Sequence, residues 1–280
     1  MMRLVCLSFV LLWSVVVFGQ DAHALRRTLL DPSSKIVMVA AHRATHNNHP
    51  ENSLQAIEES IRQGVDIIEI DVKVSSDGVP FLMHDRTLDR TTNGKGDPEQ
   101  FTWEQLQDFN IVHNGKQTAL KIPTLEDALN VAHGKILVDL DIKTDRIDKV
   151  IEVVKKTNTK EFVVFFDSNY EVLSQIKKAD NEYMLMPRAH SIAEADSAIA
   201  LFDPPIVHID FSFYTKEWTK LVSGSNARVW INALGRYDDD ISRGKAKRAL
   251  KKLLAYGANV IQTDQPELLL AALRKKGLHP

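Results

Sequence analysis

The segment VMVAAHRATHNNHPENS places three histidines, His42, His46 and His49, within eight residues. Further along, DIIEIDV carries Glu69 and Asp71, and ILVDLDIK carries Asp139, Asp141 and Lys143. Alternate residues of a strand share a face. If these runs are strands, Glu69 stands beside Asp71, and Asp139, Asp141 and Lys143 line one side of the other. Neighbouring carboxylates repel, and each is driven toward protonation unless a cation relieves it. An all-oxygen donor set suits Ca²⁺ or Mg²⁺. An apolar strand that gives three positions to charge does so at a cost in burial, so Asp141 is a candidate third carboxylate and Lys143 a cation for an anionic substrate. The plainer alternatives are solvated or lysine-bridged acids for the first pair and an internal Asp–Lys ion pair for the second.

The histidines fit the same chemistry. His42 ends an apolar run and His84 ends VPFLMH. Two imidazoles beside a metal-held anion suit acid–base work near neutral pH. Arg43 offers a planar donor fork for phosphate. His46 and His49 could take zinc with a third partner, but an i,i+3 spacing in a loop is a weak signal; residues of a surface loop that touches substrate fit better. Asn52 or Ser53 is placed to cap the helix that follows.

The elements that must position these groups are legible as alternation. Short β-branched runs at 36–41, 66–72, 79–84, 136–142, 162–166, 183–187, 206–210, 228–233 and 259–264 are separated by amphipathic stretches such as NSLQAIEESIRQG and AKRALKKLLAYGAN. Strand–helix alternation predicts a parallel sheet, and the length predicts an α/β protein of the closed (β/α)₈ TIM barrel type. Nine runs exceed eight strands by one. DVKVSSDGVPFLMHD has no room for a crossover helix, and Asp77-Gly78 reads as a two-residue hairpin turn. That turn makes facing residue numbers sum to 155, so Val74 faces Phe81 and Asp71 faces His84. The 79–84 run is then a β-hairpin excursion after the second strand. Pro80, without an N–H, needs an edge or a non-bonded position. Active sites of such barrels lie at the C-terminal ends of the strands, where Glu69, Asp71 and His42 fall.

Composition bounds the rest. The chain has 280 residues, 44% of them apolar, enough for one large core. Thirty-five basic residues against thirty-seven acidic ones leave a net charge of −2, which argues against nucleic acid as a partner. After Arg3 comes LVCLSFVLLWSVVVF, short for a membrane span of about 20 residues and suited to the h-region of a secretory signal. Residues 1–24, ending in Ala22-His23-Ala24, form the expected signal peptide, with cleavage after Gly19 as the second possibility and an uncleaved anchor as the alternative. Residues 25–280 form the expected single domain. The one cysteine, Cys6, lies inside the leader, so disulfides and thiol chemistry are excluded from the mature chain. The expectation is an exported protein, periplasmic or secreted, with no stable membrane association after cleavage.

The run AHRATHNNHPENSLQAIEESIRQGVDIIEIDVKVSSDGVPFLMHDRTLDRTTNGKG resembles the opening of the glycerophosphodiester phosphodiesterases. Their pattern is His-Arg, Pro-Glu-Asn, Glu-x-Asp-Val, Asp-Gly and His-Asp, in that order. The likeness continues in DIK, VWIN and ANVIQTDQPELLLAAL and covers nearly all of the expected mature chain. It implies a (β/α)₈ barrel that hydrolyses glycerophosphodiesters to glycerol 3-phosphate and an alcohol with one divalent cation, Ca²⁺ or Mg²⁺, in lipid or glycerol metabolism. By position, Glu69, Asp71 and Asp141 match the metal ligands and His42 and His84 the acid–base pair. Arg43 and Lys143 match the phosphate-binding cations, and Glu51 and Asn52 match the Pro-Glu-Asn element that backs the site, with Glu51 counted among the substrate-binding residues. Trp230 is a candidate wall for the glycerol moiety, or an ordinary core aromatic. The implied reaction is in-line displacement at phosphorus. His84 is placed as the acid because it lies on the excursion nearer the open mouth. The chain departs from the family at Ala44, where glycine is usual, at Asp141, where glutamate is usual, and at Gln265, where arginine is common. The segment 86–123 is a short version of the family's variable insertion. Two rival readings are a phospholipase-D-like or sphingomyelinase-D-like lipid phosphodiesterase, and a non-catalytic barrel that binds a phosphorylated polyol.

Overall fold

The computed structural model describes residues 21–280; all of the expected leader before Asp21 lies outside the described residues. Eight parallel strands close into a barrel: β1 (Met38–Ala41), β2 (Ile67–Val74), β6 (Leu137–Ile142), β7 (Val163–Asp167), β8 (Met184–Ala189), β9 (Ile206–Ile209), β10 (Arg228–Asn232) and β11 (Val260–Thr263). Closure is made by β1, which pairs with β11 on one side and β2 on the other. The strands are buried almost throughout, and helices lie between successive strands, as a sheet covered on its outer face requires. The eight expected barrel strands are the eight observed.

Two apolar layers hold the barrel. Ile68, Ile70, Val138, Leu140, Phe165 and their counterparts face outward against the helices. Met38, Ala40, Ile67, Leu137, Val164, Met184, Ile206, Trp230 and Val260 fill the interior toward the N-terminal end of the strands. That end is plugged by α1 (Ala22–Leu30). Arg228, 1% exposed, donates from Nε to the Leu29 carbonyl at 3.1 Å and from Nη1 to the Ile36 carbonyl at 3.0 Å. The guanidinium thus satisfies a carbonyl at the end of α1 that has no partner within the helix.

The excursion is present, with one correction. β3 (Pro80–Leu82) runs antiparallel to β2 at the sheet edge, where Pro80 needs no ladder N–H. The observed pairs are Val74 with Pro80, Lys73 with Phe81 and Val72 with Leu82, not Val74 with Phe81. The turn is a three-residue loop, Ser76 to Gly78, closed by Ser75 N–H to the Val79 carbonyl at 2.9 Å, with Gly78 at φ +95°. This is the type I turn followed by a left-handed glycine, the next commonest hairpin after the two-residue form. Asp71 therefore does not face His84 in a ladder; its carbonyl accepts from Met83 N–H at 3.1 Å. His84 follows the end of β3 and turns inward from there. Beyond it, the 86–123 segment carries a short helix (Trp103–Leu106), a two-stranded ladder of β4 (Val112–His113) and β5 (Lys116–Gln117), and its own core of Leu88, Leu106, Ile111 and Ile122 under Phe81 and Met83. That separate core makes the hairpin a braced platform for His84.

Candidate active site

β2 and β6 are adjacent and in register, Glu69 beside Asp139 and Asp71 beside Asp141. One ligand oxygen from each of Glu69, Asp71 and Asp141 lies within 4.8 Å of the other two. Asp71 is fully buried, and Asn52 grips it twice. The Asn52 amide donates to Asp71 Oδ2 at 2.8 Å, and the Asp71 backbone N–H donates to Asn52 Oδ1 at 3.1 Å. Asn52 reaches there because its backbone is left-handed, φ 54°; Ser53, next in sequence, is the N-cap of α2 (Leu54–Gln63). Glu69 Oε2 accepts from Arg43 N–H at 2.7 Å and from Gln262 Nε2 at 3.2 Å. Lys143 Nζ donates to Asp141 Oδ2 at 2.7 Å and stands 3.7 Å from Asp71 Oδ1.

This cluster is short of positive charge. Burial raises the Glu69 carboxyl well above the ordinary carboxylate range, and the charges of Asp71, Asp141 and Asp139 push the same way. Burial likewise raises Asp141 to about 7, against the opposing pull of Lys143. Burial would lower the Lys143 ammonium, but Asp141, Asp71 and Glu69 outweigh it and raise it. Asp71 Oδ1 is buried without a hydrogen-bond partner among the described residues. An all-oxygen donor set, mutual repulsion and an orphaned carboxylate oxygen at its centre together fit a hard divalent cation.

His42 directly follows β1. Its Nδ1–H donates to Asp264 Oδ1 at 2.8 Å, and the same oxygen accepts from His46 Nε2 at 3.0 Å. The hydrogen bonds of the two imidazoles hold Asp264 well below the usual carboxylate range, although burial opposes them. His42, His46 and Asp264 also stand within 4.8 Å of one another, but both ring nitrogens there already meet the carboxylate directly. His49 belongs to no such group among the described residues. His84 is held in the same manner, Nδ1–H to Asp85 Oδ1 at 2.8 Å. Asp264 and Asp85 were given no role from the sequence, and His46, read there as a surface-loop residue that touches substrate, instead shares Asp264 with His42. Asp264 follows the last barrel strand, and in a closed barrel that strand pairs with the first, so its place beside His42 was open to inference.

Arg90, from the 86–123 segment, was also missed. It donates to Asp85 at 2.6 and 2.9 Å and to Glu51 at 2.6 and 2.8 Å. Arg43 Nη1 donates to Glu51 Oε1 at 2.9 Å. A continuous chain of charge-assisted bonds thus runs from His84 through Asp85, Arg90 and Glu51 to Arg43. Glu51 aligns two arginines and does not line the cavity that His42 and His84 share. Arg43 and Ala44 both have left-handed backbone, φ 51° and 61°, which explains why glycine suits position 44 in the family that the sequence resembles. The twist turns Arg43 N–H onto Glu69.

Those two histidines, with Glu69, Asp141 and Lys143, line a cavity of about 180 Å³ at the C-terminal end of the barrel. Phe166, Met186 and Trp230 form its apolar side. Trp230, 1% exposed, is both a core aromatic and a wall, with its indole N–H donating to Asn232 Oδ1 at 3.0 Å.

Fold and mouth together define a (β/α)₈ barrel with histidines, carboxylates and a lysine gathered at the C-terminal ends of its strands. Residues 42–268 match the model of the Glycerophosphoryl diester phosphodiesterase family, and the chain belongs to that family. It is 29% identical over 250 residues to a glycerophosphodiester phosphodiesterase of Caldanaerobacter subterraneus subsp. tengcongensis, covering 86% of this chain and 99% of that protein. A glycerophosphoryl diester phosphodiesterase from Parabacteroides distasonis has the same fold, with a TM-score of 0.79 at 22% identity over 93% of both chains. A phosphodiesterase of Oleispira antarctica, solved with the product sn-glycerol-3-phosphate, superposes with a TM-score of 0.74 at 25% identity over 91% of this chain and 100% of that one.

Proposed function

We propose that the protein hydrolyses glycerophosphodiesters to glycerol 3-phosphate and an alcohol, using His42 and His84 as the acid–base pair. The reading is carried by one observation: two imidazoles, each with Nδ1–H held by a carboxylate, line one cavity with the carboxylate cluster and Lys143. With Nδ1 occupied, Nε2 of each ring is the atom left for proton transfer. Among the described residues Asp264 bears no guanidinium and can balance a protonated His42, whereas the charge of Asp85 is already taken by Arg90. His42 is therefore assigned as the base that takes a proton from the nucleophile, either a water or the adjacent glycerol hydroxyl, which would form a cyclic phosphate that a water then opens to glycerol 3-phosphate. His84 is assigned as the acid that protonates the leaving alcohol. Arg43 and Lys143 neutralise the non-bridging oxygens as charge builds on them. Glu69, Asp71 and Asp141 would hold one divalent cation, Ca²⁺ or Mg²⁺, which supplies Lewis-acid stabilisation of that charge.

The test follows choline release from glycerophosphocholine with Mg²⁺ or Ca²⁺ present. His42→Ala and His84→Ala are each expected to lower kcat about 10²–10⁴-fold. Full activity in either variant removes the acid–base assignment. Choline released faster from intact phosphatidylcholine than from glycerophosphocholine turns the reading to a lipid phosphodiesterase.

A further inference from the structure

Deeper than Asp71 and Asp141, beside Glu69, the cavity has a floor that the acid–base scheme does not use. Asp139 lies two residues before Asp141 on β6 and shares its face. It lines the cavity, is 1% exposed, and its Oδ1 has no hydrogen-bond partner among the described residues. His208 on β9, three strands further round the barrel, also lines the cavity. It is 3% exposed, and its Nδ1 likewise has no partner among the described residues. Its ring is set between Phe166 and Trp230, with centroids at 5.2 and 6.3 Å. Of the neighbouring polar side chains that line the cavity, Gln262 is taken up by Glu69, Asn232 by the Trp230 indole and Arg188 by Asp210.

Buried polar atoms in folded proteins are nearly always paired. Two unpaired ones on separate walls of one cavity point to a ligand that carries hydroxyls to that depth. The floor is unsuited to phosphate, because it presents a carboxyl group, and burial keeps His208 neutral by pushing its imidazole down to about 3. Of the cations, Lys143 and Arg43 stand higher, beside Asp71, and Arg188, which lines the cavity next to His208, is committed to Asp210. Apolar faces on Phe166, Met186 and Trp230 suit the C–H surface of a short polyol. We propose that Asp139 and His208 read the two free hydroxyls of a glycerol moiety that enters the barrel first, leaving the alcohol group of the diester at the mouth. The assignment rests on the phosphodiester reading above and adds the orientation of the substrate and the residues that select a polyol.

The test compares two ligands of the same skeleton, glycerol 3-phosphate and n-propyl phosphate, which differ only in the two hydroxyls. Their Kd values are measured by calorimetry on the full protein with Mg²⁺ present. The wild type is expected to favour glycerol 3-phosphate by about tenfold or more, because a site built to bond a hydroxyl rejects the analogue lacking it. Asp139→Leu and His208→Phe are each expected to bring that ratio within about threefold of one, while Kd for n-propyl phosphate stays within about threefold of wild type. Asp139→Asn, which keeps shape and hydrogen bonding, retains the preference and separates loss of the hydroxyl contact from loss of charge. A wild-type ratio near one overturns the proposal. So does a preference that survives in both Asp139→Leu and His208→Phe, or parallel loss of both ligands in both variants, which would put these side chains on the phosphate end. The two readings fail separately. A retained preference without turnover of glycerophosphocholine removes the hydrolysis, whereas turnover with a ratio near one removes the floor.

Discussion

At the scale of single residues, the site holds its imidazoles with carboxylates, and Asp264 is the clearest case. Its carboxylate receives His42 and His46 on one oxygen, and its own backbone N–H is fixed by Asp238 Oδ2 at 2.8 Å. In the proposed mechanism a proton taken up by His42 is balanced by that charge, as a buried aspartate balances a catalytic histidine in serine proteases. Asp264→Asn keeps the shape but removes the charge and offers an amide that can face either way. It is expected to lower kcat on glycerophosphocholine about 10²–10⁴-fold with KM changed less than about threefold. An unchanged kcat would mean that His42 does not depend on Asp264. The residue was missed in the sequence because 222 positions separate it from His42, and only barrel closure makes them neighbours. Glu69, Asp71, Asp141, His42 and His84 were legible because a charge placed in a β-branched run is conspicuous where burial is costly. Asp139 was legible as a face-sharing acid, but its unpaired oxygen depends on what surrounds it in space.

At the scale of elements, strand order was readable from alternation, while pairing and register were not. β2 and β6 stand side by side only because β3 and the 86–123 segment loop out between them. The one-residue error in the hairpin came from counting Asp77-Gly78 as the whole turn. Gly78 is the left-handed residue that ends a three-residue loop, and sequence alone does not separate the two forms. α1 carries a prediction about processing. Asp21 caps its N-terminus by accepting from His23 N–H, Ala22 is fully buried, and Ala22 N–H donates to the Gly134 carbonyl at 3.2 Å. Cleavage after Ala24 would strip the cap, worth about 1 kcal/mol, and the first turn of the helix that plugs the barrel. We propose export with cleavage after Gly19, which leaves both in place. The intact mass of the exported protein should therefore correspond to a chain beginning at Gln20, and a mass beginning at Leu25 would refute it.

At the scale of the whole molecule, the barrel is latched at the end opposite its chemistry. Asp66, buried just before β2, accepts from Val39 N–H at 2.7 Å and from His279 Nε2 at 3.0 Å, and Val37 N–H donates to the Leu278 carbonyl at 2.9 Å. The chain after the last helix is thereby tied to the β1–β2 junction. Burial alone would lower the His279 imidazole, but the hydrogen bond and charge of Asp66 outweigh it and raise it above its ordinary value. A group bound more tightly to its proton in the folded state stabilises the fold fully below its unfolded pKa, about 6.5, and loses that contribution as pH rises through the higher folded value. The latch therefore strengthens toward acid, opposite to the usual carboxylate behaviour. His279→Gln keeps a donor but cannot carry charge. Thermal unfolding of wild type and variant at pH 6 and pH 9 isolates the term as a difference of differences. Wild type should exceed the variant by about 1 kcal/mol more at pH 6, or about 2 °C in Tm for a domain of this size. A Tm gap that is equal at both pH values, or wider at pH 9, would mean that His279 holds Asp66 without its charge.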